Sequence, residues 1–383
     1  MQGDAQKRRK CSLSNGGRRD KIEKNGKRRM NLEQQEILNQ VPERLLGWYG
    51  KNARILPWRD RPEPYRVWVS EIMLQQTRVE AVKPYYERFL RELPTVRDLA
   101  EAPEEQLLKL WEGLGYYNRV RNLQKGARKI VEDYGGEVPP SFEALRGLPG
   151  IGDYTAGAIA SIAFGIPVPA VDGNVLRVRA RVLNDPSDIL NPKVKKLAEE
   201  QIKRIIPKDR AGDFNQALME LGAMVCLPNG VAKCLYCPLN GICTAYREGT
   251  VMELPVKTKK QPRKIEEKTV FLISCGKAVA LRRRPEKGLL SGLWELPWAE
   301  GFLNAEDAER QLEAWRLQPR QLRELDGAKH IFTHIEWRMH AFQAEAGERT
   351  AGFEWVSRED LQKDVTLPFA FKAYFQEIDR LLA

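Results

Sequence analysis

Leu148-Pro149-Gly150-Ile151-Gly152, with Val171-Asp172-Gly173-Asn174-Val175 placed so that Asp172 falls twenty residues beyond Gly152, is the stretch on which the reading of this chain turns. The first block sits between two helical patterns. Its two glycines allow a tight turn that leaves backbone N–H groups free. A helix starting near Asp153 adds the positive end of its dipole. Such a turn can hold a phosphate without reading sequence, although a PGxG turn is also an ordinary loop. Asp172 carries two compatible readings. An Asp ahead of an apolar helical run is a standard N-cap. A carboxylate at that position is also kept ionised by the dipole, as a developing sugar cation needs.

Outward from these blocks, residues 31 to about 250 read as helix after helix. Apolar positions recur at three and four residues over 65–77, 79–92, 104–111, 118–133, 153–164, 174–183 and 191–205. Leu93-Pro94, Gly135-Gly136, Pro139-Pro140 and Pro167-Val168-Pro169 punctuate the gaps. This predicts a mainly α region over 31–253. The segment 254–266 is basic, lacks apolar periodicity and reads as a linker. Strand-like runs follow at Lys268 to Ser274, Ala278 to Arg282 and His330 to Phe342, with helical patterns at 304–316 and near the C-terminus. Residues 267–383 therefore read as a separate α+β domain.

Glu71 lies in Val67-Trp68-Val69-Ser70-Glu71-Ile72-Met73-Leu74, which is apolar almost all round. Burial there would raise its pKa and keep it protonated near neutrality, as a general acid requires. A partly exposed Glu in a first helical turn is the alternative. One protonated and one ionised carboxylate is the division of labour that cleaves glycosidic bonds. The first 329 residues contain no histidine, so acid–base chemistry there rests on carboxylates, Tyr or Lys.

Four of the six cysteines, Cys226, Cys234, Cys237 and Cys243, fall within eighteen residues. One tight group points to a metal rather than to a disulfide framework. The spacing C-x7-C-x2-C-x5-C suits an iron–sulfur cubane on a wrapped loop. Zinc is the alternative, although structural zinc sites more often pair two C-x2-C knuckles.

The net charge of +11 is concentrated at one end, because residues 1–30 hold eleven Lys and Arg against three acids. That tail is read as a disordered extension, able to add non-specific attraction to DNA phosphates. Met30 stands where the tail gives way to periodic sequence and is a candidate start. No run approaches the ~20 apolar residues that span a bilayer, and no apolar segment follows the basic N-terminus. A cytoplasmic protein without a membrane partner is expected.

The hairpin followed by Val171-Asp172-Gly173-Asn174-Val175 resembles the helix-hairpin-helix DNA glycosylase superfamily. Within it, Leu56-Pro57-Trp58-Arg59, Glu71-Ile72-Met73-Leu74-Gln75-Gln76-Thr77 and Trp111-Glu112-Gly113-Leu114-Gly115-Tyr116-Tyr117 resemble the adenine DNA glycosylases, the MutY family, over roughly 35–383. The resemblance implies a monofunctional enzyme of base excision repair. Its substrate would be double-stranded DNA carrying adenine opposite 8-oxoguanine or guanine; monomeric action at the nucleoid is the default expectation. It implies that Glu71 protonates the adenine ring, Asp172 stabilises the oxocarbenium-like state, Asn174 orients Asp172 and Tyr154 presses on the sugar. Gly150 and Gly152 would hold backbone phosphates. Gln76 and Tyr116 would wedge into the duplex as adenine flips out. Trp58, Arg59 and Gln216 would line the adenine pocket; plain core packing for Trp58 and a solvated helix face for Gln216 are the alternatives. Bifunctional relatives that resemble endonuclease III carry a Lys where this chain has Tyr154. A phenol cannot form the imine that precedes strand cleavage.

The same resemblance implies a 4Fe–4S cluster on the four cysteines, with no substrate redox role. The usual first gap holds six residues, and here it holds seven. Gly288-Leu289-Leu290-Ser291-Gly292-Leu293-Trp294-Glu295-Leu296-Pro297 looks like the sheet edge of a Nudix domain. The stretch Ala305 to Glu313 lacks the acidic pattern of a Nudix catalytic helix, so nucleotide hydrolysis is disfavoured. The domain resembles a lesion-sensing domain instead. Phe332-Thr333-His334 stands where the family has Phe-Ser-His, and ordinary strand-end residues are the alternative. Two rival functions remain at this level, a glycosylase with other base specificity or lyase activity and a non-catalytic DNA-binding scaffold. Retention of both Glu71 and Asp172 argues against the scaffold.

Overall fold

The computed structural model describes residues 32–228, 230–258 and 261–383. The basic tail 1–30 lies outside the described residues, as does Asn229 in the lengthened cysteine gap.

The helical region is built on two apolar cores. Helices Pro64–Leu74, Val79–Glu92, Glu104–Leu110, Asn118–Tyr134 and Asp153–Phe164 share the first. Helices Leu32–Asn39, Val41–Asn52, Gly173–Val182, Pro192–Ile205 and Ala211–Met224 share the second. Pro64–Leu74 is apolar almost all round over Val67–Leu74 and is enclosed there, with Val67, Trp68, Val69, Ser70, Glu71, Ile72 and Met73 all buried. Val79–Glu92 and Asn118–Tyr134 are amphipathic and turn a single stripe inward. The two cores meet at a pocket of about 600 Å³, and Glu71 enters it from one while Asp172, Gln216 and Glu220 enter from the other.

The second domain is a mixed sheet of β1 (Lys264–Cys275), β2 (Ala278–Arg283), β3 (Trp294–Glu295), β4 (Trp298–Glu300), β5 (Pro319–Ile331), β6 (Ile335–Ala346) and β7 (Glu354–Val356). Its order is β3-β2-β1-β6-β5, with β4 beside β1 and β7 beside β2. β1 and β6 run parallel from the pair Lys264/Ile335 to Ser274/Glu345, and the other pairs are antiparallel. Helix Ala305–Ala314 packs on one face, and the C-terminal segment Phe369–Leu381 packs on the other.

Two strand readings change. β1 starts at Lys264, inside the segment read as linker, because its first residues alternate Ile265 with charged neighbours and lack an apolar run. The run His330 to Phe342 is not one strand but a hairpin. β5 ends at Ile331, Phe332 N donates to Ile335 O at 2.8 Å, and Phe332-Thr333-His334 forms the tip. β5 has no fully buried residue, so its sequence carries no apolar alternation.

The two domains are joined by more than chain. Leu293 is buried inside the first helical core. Lys109 Nζ donates to Leu361 O at 2.6 Å and pairs with Glu112 at 2.7 Å, while Leu367 N donates to Glu112 Oε1 at 3.1 Å. Among the described residues no helix is long and apolar enough to cross a membrane.

Candidate active site

Glu71 stands in the last turn of Pro64–Leu74 and is 6% exposed, so the partly exposed first-turn alternative is set aside. Burial pushes its carboxyl up to about 7; the Tyr154 hydroxyl bond opposes this, nearby Asp172 adds to it and Arg59 opposes it. Tyr154, on the first turn of Asp153–Phe164, donates its hydroxyl to Glu71 Oε2 at 2.6 Å. Burial, with the neighbouring carboxylates of Glu71 and Asp172, holds that phenol far above its ordinary range. Tyr154 therefore remains a donor.

Asp172 caps helix Gly173–Val182. Its Oδ1 accepts from Asn174 N at 2.9 Å and Val175 N at 2.8 Å, and its Oδ2 accepts from Asn174 Nδ2 at 2.6 Å. The N-cap reading of Asp172 holds in the geometry, while its charge is less favoured than the helix dipole suggested. Burial raises its pKa from the ordinary 3.8, against the bonds from Val175 and Asn174 and the charge of Arg177. Asn174 is itself held, because Arg177 Nη2 donates to Asn174 Oδ1 at 2.8 Å. Gly222 lies directly behind it, where a Cβ would meet Asn174 Cβ at 2.5 Å.

The pocket wall contains Trp58, Arg59 and Gln216. Trp58 is also core, 6% exposed and edge-on to Tyr86 at 5.4 Å, so the packing alternative coexists with the pocket role. Gln216 is half-buried rather than solvated, and its Oε1 accepts from Arg59 Nε at 3.0 Å. That bond turns the Gln216 amide nitrogen away from Arg59.

Glu220 was not singled out from sequence. It is buried and accepts from Arg54 Nε at 2.7 Å and Arg59 Nη2 at 2.9 Å. Burial would raise its pKa, but the bonds from Arg54 and Arg59 hold it down to about 2. The run Phe214-Asn215-Gln216-Ala217-Leu218-Met219-Glu220-Leu221 has polar Asn215 and Gln216 among its apolar residues, so no local pattern set Glu220 apart.

Beyond the pocket, the hairpin joins helix Phe142–Arg146 to Asp153–Phe164. Gly150 has φ +77° and lies against Asn122, where a Cβ would come within 2.7 Å of that residue's Cβ; Gly152 is the N-cap of the second helix. Gln76 and Tyr116 are exposed, and both have positive φ, +58° and +50°. Tyr116 Oη lies 3.3 Å from Thr333 Oγ1, so the expected wedge and the expected lesion loop touch. Thr333 and His334 are exposed. Phe332 is half-buried, with its ring edge-on to Trp337 at 4.8 Å and His330 at 4.6 Å.

Cys226, Cys234, Cys237 and Cys243 all line one hollow closed by Val178, Leu221 and Leu239. All four are free thiols. Burial pushes Cys237 up to about 12 and also raises Cys234 and Cys243, so thiolates there need a bound cation. Among the described residues no three Cys, His, Asp or Glu side chains converge on a single ion. Thiols around a shared hollow fit a group of several atoms. Helix Gly173–Val182 supports this loop, with Arg177 Nε donating to Cys226 O at 2.8 Å and Arg181 Nη1 lying 3.2 Å from Cys226 Sγ.

Residues 69–207 match the HhH-GPD superfamily of base excision DNA repair proteins, and residues 269–377 match the NUDIX domain. A thermostable thymine-DNA glycosylase of known structure is 28% identical, with TM-score 0.50, covering 56% of this chain and 98% of its own. The fold and site thus define a helix-hairpin-helix DNA glycosylase with an appended Nudix-like domain. Among curated proteins, the adenine DNA glycosylase of Rattus norvegicus is 35% identical over 87% of this chain and 76% of its own length. That of Homo sapiens is 36% identical over 82% and 70%. The chain belongs to the adenine DNA glycosylase family.

Proposed function

We propose that this enzyme hydrolyses the N-glycosidic bond of adenine mispaired with 8-oxoguanine or guanine and does not cut the strand. The observation that carries the reading is the pairing, in one pocket, of Glu71, protonated near neutrality, with Asp172, held by Asn174. The adenine, rotated out of the duplex, enters between Trp58, Arg59 and Gln216. Glu71 passes its proton to a ring nitrogen, the bond from the sugar C1′ to N9 breaks, and its electron pair leaves on adenine. Asp172 stabilises the cationic sugar. Water then adds at C1′, and its proton returns to Glu71. Tyr154 holds Glu71 and bounds the sugar side of the pocket, and no amine stands there to form an imine. Gly150 and Gly152 hold phosphates, Gln76 and Tyr116 wedge the duplex, and Phe332, Thr333 and His334 probe the opposite base. Division into a tail 1–30, a catalytic region 31–253, a linker 254–266 and a lesion-sensing domain 267–383 belongs to the same reading, as does monomeric action at the cytoplasmic nucleoid.

Cys226, Cys234, Cys237 and Cys243 would hold a 4Fe–4S cluster, whose contribution is to fix the loop against DNA. Protein purified without air should contain about four irons per chain. One zinc per chain and no iron would overturn that assignment. For the activity, duplexes carrying each mismatch are incubated with the protein and scored for abasic sites, with and without alkali. Breaks are expected only after alkali and only for adenine opposite 8-oxoguanine or guanine. Breaks without alkali, or release of another base, would overturn the reading.

A further inference from the structure

Gln76 and Tyr116 project from separate loops, yet both peptide units that precede them are gripped by one side chain. Arg119 Nη1 donates to Gln75 O at 2.7 Å, and Arg119 Nη2 donates to Gly115 O at 3.1 Å. The same guanidinium reaches Ile72 O at 2.9 Å, Met73 O at 3.0 Å, Leu114 O at 3.1 Å and Thr77 Oγ1 at 3.4 Å. It also faces the rings of Trp111 and Tyr116 at 5.3 and 5.6 Å. A cation at the C-terminal carbonyls of Pro64–Leu74 is well placed against the helix dipole. Non-glycine residues with positive φ are costly, and they persist where surrounding bonds over-determine them. Here both such residues follow a carbonyl held by the same group.

We infer that Arg119 is a positioning residue that sets the conformation and spacing of the two wedges, Gln76 and Tyr116, and ties them to the helix carrying Glu71. The inference rests on the wedge reading given above. A guanidinium supplies donors on two arms of a rigid fork, so Nη1 serves the Gln76 loop while Nη2 serves the Tyr116 loop and also reaches Thr77. A lysine ammonium has its three donors on one nitrogen and cannot reproduce the fork's spread of bonds across both loops. Trp111 supports the same peptide, because its Nε1 donates to Gly115 O at 3.1 Å.

The consequence is a defect in opening the duplex rather than in chemistry. The test places 2-aminopurine beside the mispaired adenine and follows its fluorescence, which reports unstacking before base release, together with single-turnover excision. Arg119→Lys should slow the unstacking phase by on the order of 10²-fold, as small misplacements of a positioned group do. Base release from the adenine already flipped should keep its wild-type rate. Trp111→Phe keeps the core ring and loses one bond to Gly115, so it should slow unstacking in the same direction by less. It decides the matter if Arg119→Lys does not fold. In a Tyr116→Ala background, Arg119→Lys should add less than it costs alone, because one of the two wedges it positions is gone. Normal unstacking in both Arg119→Lys and Trp111→Phe, or a fully additive loss in the double variant, would overturn the inference. A Tyr116→Ala protein that unstacks DNA normally would overturn the wedge reading itself, which is a separate result.

Discussion

The Glu71 pocket and the Phe332–His334 tip are organised in opposite ways. In the pocket, Glu71 is buried and bonded across helices by Tyr154, while Asp172 and Asn174 are held at the start of helix Gly173–Val182 by Asn174, Val175 and Arg177. At the tip, Thr333 and His334 are exposed on a three-residue turn; Phe332 is seated on Trp337, and Thr333 touches the exposed hydroxyl of Tyr116. On the proposed function, the difference teaches how the tasks divide. Protonating a base needs a perturbed pKa, and burial is what perturbs it. Reading an opposite base needs donors that meet DNA only when it arrives, so they stay in water until then. The pocket should therefore act alike on every substrate, while the tip should act selectively.

The hardest test of that division is loss of either carboxylate. Glu71→Gln and Asp172→Asn should each slow single-turnover base release by about 10²–10⁴-fold, equally opposite 8-oxoguanine and guanine, with DNA binding retained. Near-normal turnover in either variant would remove the pocket's role.

Next in size is a stability effect of burying the acid. Glu71 has a folded pKa of about 7 against an ordinary 4.5, so its ionised form is disfavoured in the fold. Below 4.5 it is protonated folded and unfolded and costs nothing. Above about 7 the cost is complete, on the order of 3 kcal/mol. Glu71→Gln should thus melt higher than wild type at pH 8 and match it near pH 4. In wild type, base release should fall as pH rises through about 7. Equal melting at pH 8 would mean that the carboxylate is better solvated than its surroundings imply.

The tip should show a smaller and selective effect. His334→Ala should weaken excision opposite 8-oxoguanine more than opposite guanine, by about 1–3 kcal/mol of discrimination, measured at matched salt. Phe332→Ala should act in the same direction and also lower the melting temperature, because its ring packs on Trp337. Equal losses on both substrates would place the tip with the pocket and dissolve the comparison. The smallest expected change is in Tyr154→Phe. Its hydroxyl bond lowers the Glu71 pKa, so its removal should shift the alkaline limb of the pH–rate profile upward. A downward shift would contradict the donor role.

Much of this was legible because the sequence pattern and the packing agree. Glu71 could be placed at depth because its neighbours in Val67–Leu74 are apolar almost all round. Asp172 could be placed at a helix start, and the helices over 79–92, 118–133 and 153–164 end within a residue of where their periodicity ends. β5 was not legible, because an edge strand with exposed residues on both faces leaves no alternation to read. The hairpin inside 330–342 was hidden because Phe332 continues the apolar run through the turn. Arg119 and Glu220 were missed for another reason. Glu220 takes its meaning from Arg54 and Arg59, and Arg119 from joining nearby Gly115 to Gln75 and Ile72, more than forty positions back. Local spacing carries no trace of such bonds.

The burial of Leu293 in the first helical core means that the genetic boundary between the two domains is not a boundary of stability. A chain cut after residue 258 would keep every pocket residue yet expose the seat of Leu293, and it would leave Glu112 and Lys109 without Leu367 and Leu361. A truncated form is therefore a poor stand-in for a catalytic module. Hybrids that join this helical half to another Nudix-like domain must transplant the Gly288–Pro297 segment together with its host, or accept an uncovered apolar scar.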